Sequence, residues 1–113
     1  MGKAFSVAKK IVADAGSEGD VTIYVVEPAR VFKLDEVQIN FPPGQGFNLE
    51  ISIFRGLSQV VPGKGVYCGD GCIIRDKSDE EFQSGERIMV HYKNNDTSSA
   101  QACFILLTGE FIS

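Results

Sequence analysis

Two stretches near the end of the chain decide the fold. The first is Ser84-Gly85-Glu86-Arg87-Ile88-Met89-Val90-His91-Tyr92-Lys93-Asn94-Asn95-Asp96, and the second is Ala102-Cys103-Phe104-Ile105-Leu106-Leu107-Thr108-Gly109-Glu110-Phe111-Ile112. Together they read as strand, polar turn, strand, with β-branched and aromatic residues bounded by turn formers. Working back, Phe47-Asn48-Leu49-Glu50-Ile51-Ser52-Ile53 alternates apolar and polar without a break. That is the period of a half-buried strand, with Phe47, Leu49, Ile51 and Ile53 facing inward.

The same pattern recurs upstream. Val37–Phe41 alternates cleanly. Val21–Val26 is rich in β-branched residues and stops before Pro28, which cannot donate to a ladder. Val31–Leu34 reads as a continuation of that strand after a kink. Pro42-Pro43-Gly44-Gln45-Gly46 is a loop, Gln59–Pro62 a short edge segment, and Ile73-Ile74 a short strand. Asp76-Lys77-Ser78-Asp79-Glu80-Glu81 reads as a solvated loop. Residues 3–15 fit a first strand through Phe5, Val7 and Ile11, or a helix through Phe5, Ala8, Val12 and Ala15; the strand is preferred.

Seven or eight short strands with no intervening helical pattern predict an all-β, single antiparallel β-sandwich of jelly-roll or immunoglobulin-like type. Residues 1–16 form an N-terminal arm or first strand, and residues 17–113 the sandwich. The expected core is Ile23, Val25, Val37, Ile39, Phe47, Leu49, Ile51, Ile53, Ile88, Val90, Phe104 and Leu106.

A chain of 113 residues can bury a core without disulfide or metal. With 43% hydrophobic and 23% charged residues it reads as an ordinary globular domain. A net charge of −4 gives no footprint for phosphate backbones, so no nucleic-acid partner is expected. No apolar run reaches the length of a bilayer span, and Lys9 and Lys10 interrupt any secretory core. The expectation is a chain made in the cytoplasm with no membrane partner. Met1-Gly2 with Ser6 matches the myristoylation pattern, a weak motif that a start codon produces by coincidence.

The chemistry-bearing residues are few. Cys68 and Cys72 flank Gly69-Asp70-Gly71. In a three-residue hairpin they would face each other, close enough for a slightly strained disulfide. Free thiols are the preferred reading, and Cys103 is an inert buried thiol in its apolar strand. Cys68, Cys72, Cys103 and His91 would compose a zinc set, but only the first pair has local spacing. His91 is the single histidine and reads as a structural one. Asp76, Asp79, Glu80 and Glu81, with Asp70, offer oxygens for calcium, yet not at EF-hand spacing. The glycines of Gly44-Gln45-Gly46 and Gly63-Lys64-Gly65 are turn residues. No Trp is present for a sugar platform. No cofactor, metal or catalytic residue is expected.

Leu34–Ile39, Leu49–Ile53, Gln59–Pro62, Ser84–Ile88 and Val90–Asp96 together make the chain resemble small β-sandwich structural proteins of tailed phages and related viruses, such as capsid decoration, head-fibre or spike domains. The resemblance covers residues 20–113 and carries no fixed site. It implies a non-catalytic virion role, a homo-oligomer with a trimer favoured, and a capsid or other virion protein as partner. Phe5, Val7, Ile11 and Val12 are the candidate assembly contacts, because an unplaced apolar segment can add to a neighbour's sheet edge. The alternative is a ligand-binding sandwich, either carbohydrate-binding or calcium-dependent and adhesive.

Overall fold

The structure, a computed structural model, describes residues 3–44 and 46–112. Met1 and Gly2, with their acylation reading, and Gln45 of the proline–glycine loop lie outside the described residues. Among the described residues nine strands follow in order: β1 Lys3–Ala13, β2 Glu18–Val25, β3 Phe32–Phe41, β4 Leu49–Arg55, β5 Ser58–Val61, β6 Cys72–Lys77, β7 Glu81–Phe82, β8 Arg87–Asn94 and β9 Gln101–Phe111.

They form two antiparallel sheets. Sheet A has the order β1-β9-β3-β6, with the two-residue β7 also paired to β3; sheet B has the order β2-β8-β4-β5. Most neighbours within a sheet are distant in sequence, and apart from β4 to β5 and β6 to β7 consecutive strands pass from one sheet to the other. This interleaving of a five-strand and a four-strand layer is a jelly-roll-like sandwich, as the turn-punctuated sequence predicts.

Two polar devices close the ends. Asn94 is buried, its amide nitrogen 3.2 Å from Ala13 O, 3.1 Å from Asp14 O and 3.0 Å from Ser99 O. It therefore ties the β1–β2 turn to the β8–β9 connection. At the other end, Arg55 of β4 donates from Nη2 to Glu80 Oε1 at 3.1 Å and to Glu81 O at 2.7 Å. That guanidinium also lies 5.0 Å over the Phe82 ring, so one side chain joins the two sheets.

The core is Ile11, Phe32, Leu34, Val37, Ile39, Phe41, Leu49, Ile51, Ile53, Phe82, Ile88, Val90, Ile105 and Leu107, all essentially inaccessible. Phe5, Tyr24, Phe32 and Phe111 add an aromatic cluster, with Phe5 and Phe111 centroids 5.0 Å apart and Phe32 and Phe111 5.6 Å apart.

Five sequence expectations are corrected. In β9 the inward residues are Cys103, Ile105 and Leu107, while Phe104 is 48% exposed and Leu106 half-buried. The run from Ala102 to Leu107 is apolar throughout, so its own pattern does not fix the register; pairing with β1 and β3 does. Val25 faces outward because a bulge between Thr22 and Tyr24 shifts the alternation and sends Tyr24 inward. Phe47 precedes β4 in a turn with φ of 61°, and its side chain is exposed. Phe32–Leu34 belongs to β3, not to the strand before Pro28, and a bulge between Leu34 and Glu36 keeps it in the ladder with β9. The segment Asp76-Lys77 is the end of β6 rather than loop.

Candidate functional site

The outer face of sheet B carries a connected group of ionisable side chains. Glu18 and Asp20 lie two residues apart on β2, so both project to the same side. His91 on β8 stands directly opposite Asp20. Its Nδ1 is 2.8 Å from Asp20 Oδ1 and its Nε2 is 2.7 Å from Glu18 Oε2. A carboxylate at each ring nitrogen selects the doubly protonated imidazolium, which donates to both. Partial burial of the ring works against the charged form. The hydrogen bonds to Asp20 and Glu18, with their negative charges, outweigh it and raise the His91 pKa above the ordinary value. The ring also lies 5.9 Å from Phe54 of β4.

The carboxylates sit on opposite ring nitrogens, so the trio is a clamp rather than a ligand set for one ion. Among the described residues no group of three or more His, Cys, Asp or Glu is placed to share a metal. The zinc set of the sequence is dispersed. Cys103 is buried on the core side of sheet A, whereas His91 lies on the outer face of sheet B. Burial pushes the Cys103 thiol up to about 12.

Cys68 and Cys72 carry free thiols, the first half-buried and the second exposed. They are not opposed across a hairpin. Cys68 follows the bridge between Tyr67 and Ile51 of sheet B, while Cys72 opens β6 of sheet A, so the loop is a crossover between sheets. Gly69 is needed there, because a Cβ on it would sit 2.5 Å from Cys72 Sγ.

Three of the acidic residues at 70–81 have separate partners. Asp76 Oδ2 accepts from the Tyr67 hydroxyl at 2.5 Å, Glu80 holds Arg55, and Asp70 Oδ1 accepts from the Gly44 amide at 2.7 Å. The Tyr67 pKa is raised, by burial first and then by the bond to Asp76.

The N-terminal assembly contacts are placed in the chain's own sandwich. β1 pairs with β9 from Lys3↔Phe111 to Ala13↔Gln101. Phe5 joins the aromatic cluster, Val7 is half-buried and Ile11 is fully buried; Val12 is 56% exposed. The outward apolar residues of sheet A are Val12, Phe104 and Ile73, the last 52% exposed. Ile73 borders an open cleft of about 500 Å³ formed with Asn40, Phe41, Pro43, Gly71 and Cys72. A second cleft of about 390 Å³ lies by Arg55, Ser58, Glu86 and Arg87. The His91 clamp escaped the sequence reading because its members are separated by about seventy residues. The local signal was the Glu-x-Asp spacing of a strand edge.

No family model matches the chain, and no curated protein matches it. Solved structures share the fold. One is a chain from the Sulfolobus turreted icosahedral virus, at 11% identity and a TM-score of 0.61 over 96% of this chain; this chain spans 29% of that one's length. Another is a chain of the capsid of Helicobacter pylori bacteriophage KHP30, at 11% identity and a TM-score of 0.56, covering 96% of this chain and 93% of that one. A third is the protein FLHE, at 7% identity and a TM-score of 0.50, covering 96% of both. At these identities the likeness is one of fold, and it includes viral capsid chains.

Proposed function

We propose that this chain is a non-catalytic virion structural or assembly protein, a decoration or spike-type subunit that associates with copies of itself on a capsid. The observation that carries the reading is the likeness in fold, at a TM-score of 0.56, to a chain of a phage capsid over 93% of that chain's length. Fold alone does not license function. The surface adds support: an acidic chain exposes Val12, Ile73 and Phe104 on one sheet face, where a partner could cover them. Immunogold labelling of particles purified from the source tests it. Label on intact particles is the expected result. Protein found wholly outside the particle fraction would overturn the reading.

A further inference from the structure

The two sheet orders leave β1, β6, β2 and β5 at the margins. An open edge invites another strand unless something blunts it. β5 has four residues and runs into Pro62. β1 carries Lys9 opposite the buried Ile105, hence on its core-facing side. A charge turned inward on an edge strand discourages further pairing.

The one inward charge of β6, Asp76 opposite the buried Val37, is taken up by the Tyr67 hydroxyl of its own copy. The six residues of β6 pair with β3 in unbroken register, from Glu36↔Lys77 to Phe41↔Cys72, and include no proline. Its outward side chains are Ile73, Arg75 and Lys77, all exposed. Arg75 and Lys77 make no ion pair among the described residues. β2 is regular from Glu18 to Thr22, where its bulge begins, and its outward side chains there are Glu18, Asp20 and Thr22. The side chains of Glu18 and Asp20 are 53% and 56% exposed.

We propose that β6 of one copy adds antiparallel to β2 of a second copy, an inference that rests on the assembly reading above. One register sets Lys77 opposite Glu18, Arg75 opposite Asp20 and Ile73 opposite Thr22 of the second copy. The intervening residues then meet on the core side, Ile74 against Val21 and Asp76 against Gly19. Directly opposite unlike charges stabilise such a pair, and like charges oppose it. The competing edge pairs are worse matched. β6 on β6 centred on Arg75 opposes two guanidinium groups, β2 on β2 brings acid to acid, and β6 on β1 brings Arg75 or Lys77 against Lys10 on the outer face. The β2 bulge ends the ladder after the five pairs.

The contact is heterologous, so it repeats. β6 is antiparallel to β1 through β3 and β9, and the turn at 14–17 reverses the chain between β1 and β2. β2 and β6 thus run the same way within one copy. Antiparallel addition turns each copy about half a revolution from the last, which favours an open row over the trimer suggested by sequence resemblance.

Sedimentation velocity of the full chain over a wide concentration range, at low and high salt, tests the contact. The wild type should show reversible, concentration-dependent growth that salt weakens. R75E/K77E should weaken association by about tenfold or more. E18K/D20K should do the same, and an equimolar mixture of the two variants should recover assembly, because each supplies the edge complementary to the other. Should E18K/D20K fail to fold, R75E/K77E decides alone, since its changes are on the surface. A wild type that stays monomeric throughout, or an R75E/K77E that assembles as the wild type does, overturns the contact. The second outcome leaves the virion reading standing. Absence of the protein from labelled particles removes that reading without touching the edge chemistry.

Discussion

Gly109 of β9 runs so close to Lys33 of β3 that a Cβ on it would lie 2.1 Å from the Lys33 carbonyl oxygen and 2.7 Å from Phe32 Cζ. The obstruction is backbone, which cannot swing aside. Gly109 thereby makes room for the Phe32 ring in the aromatic cluster and keeps the bulged β3–β9 ladder closed.

The first prediction follows from that approach. Gly109→Ala should destabilise by about 2–4 kcal/mol, a packing cost in a position with no room to relax. Urea unfolding should show a lower midpoint with an unchanged slope. A variant as stable as the wild type would mean that the two strands lie further apart than described.

His91 gives a pH dependence whose sign is fixed. Its pKa is raised in the folded chain, through hydrogen bonds and charges that outweigh partial burial. The folded state therefore binds the proton more tightly than the unfolded state. The contribution is fully present below the unfolded value near 6.5 and is lost as pH rises through the higher folded value. Glu18 and Asp20 are more than half exposed, so solvent screening limits the effect to less than about 1 kcal/mol. Thermal melts from about pH 6 to about pH 8.5 should show the wild type losing this increment. His91→Gln should lack that component, and an unchanged profile in the variant would remove the clamp as its source.

The register of β9 is tested by adjacent residues. Phe104→Asp should fold, because its side chain stands half in solvent over Lys10, whose Nζ is 5.6 Å from the ring centroid. Ile105→Asp places a carboxylate in the core, at a cost of several kcal/mol against a total stability of roughly 5–15. Soluble yield and circular dichroism separate the two. Ile51→Asp, equally buried in β4, should behave as Ile105→Asp does.

Thiol reactivity should follow exposure. Cys72 is exposed and Cys68 half-buried, whereas Cys103 is buried with its pKa at about 12. The thiolate is the reacting form. Alkylation of native protein near neutral pH should modify Cys72 first and leave Cys103 untouched until the chain unfolds, as read by mass spectrometry of the digested protein. Modification of Cys103 under native conditions would place β9 in a looser setting.

Within β4 the alternation was a sufficient guide, although Phe47, in the same run, turns outward in the positive-φ turn before the strand. Leu49, Ile51 and Ile53 face inward because Glu50 and Ser52 leave only one apolar side to the strand. Ile88 and Val90 follow the same logic. Where apolarity is continuous, as from Ala102 to Leu107, period carries no information, and the neighbours β1 and β3 decide which face turns in. Bulges at Thr22/Tyr24 and Leu34/Glu36 add or skip a residue without any compositional mark, so Val25 and Phe32–Leu34 were misplaced. The His91 clamp and the Tyr67–Asp76 bond join residues on different strands, and their pairing exists only once strand order is known.

The strand order also governs how the chain reaches its structure. In sheet A the last strand, β9, lies between β1 and β3, and in sheet B the next-to-last, β8, lies between β2 and β4. Neither sheet can close its ladder until residues 87–111 have left the ribosome. β1 and β2 have no partner until then, whereas β3 can already pair with β6 and β7, and β4 with β5. Pairing over such separations requires closing long loops before any contact rewards the chain. The newly made chain thus carries β1 and β2 as unpaired core-forming segments until its final strands arrive, and through that interval misassembly competes with folding.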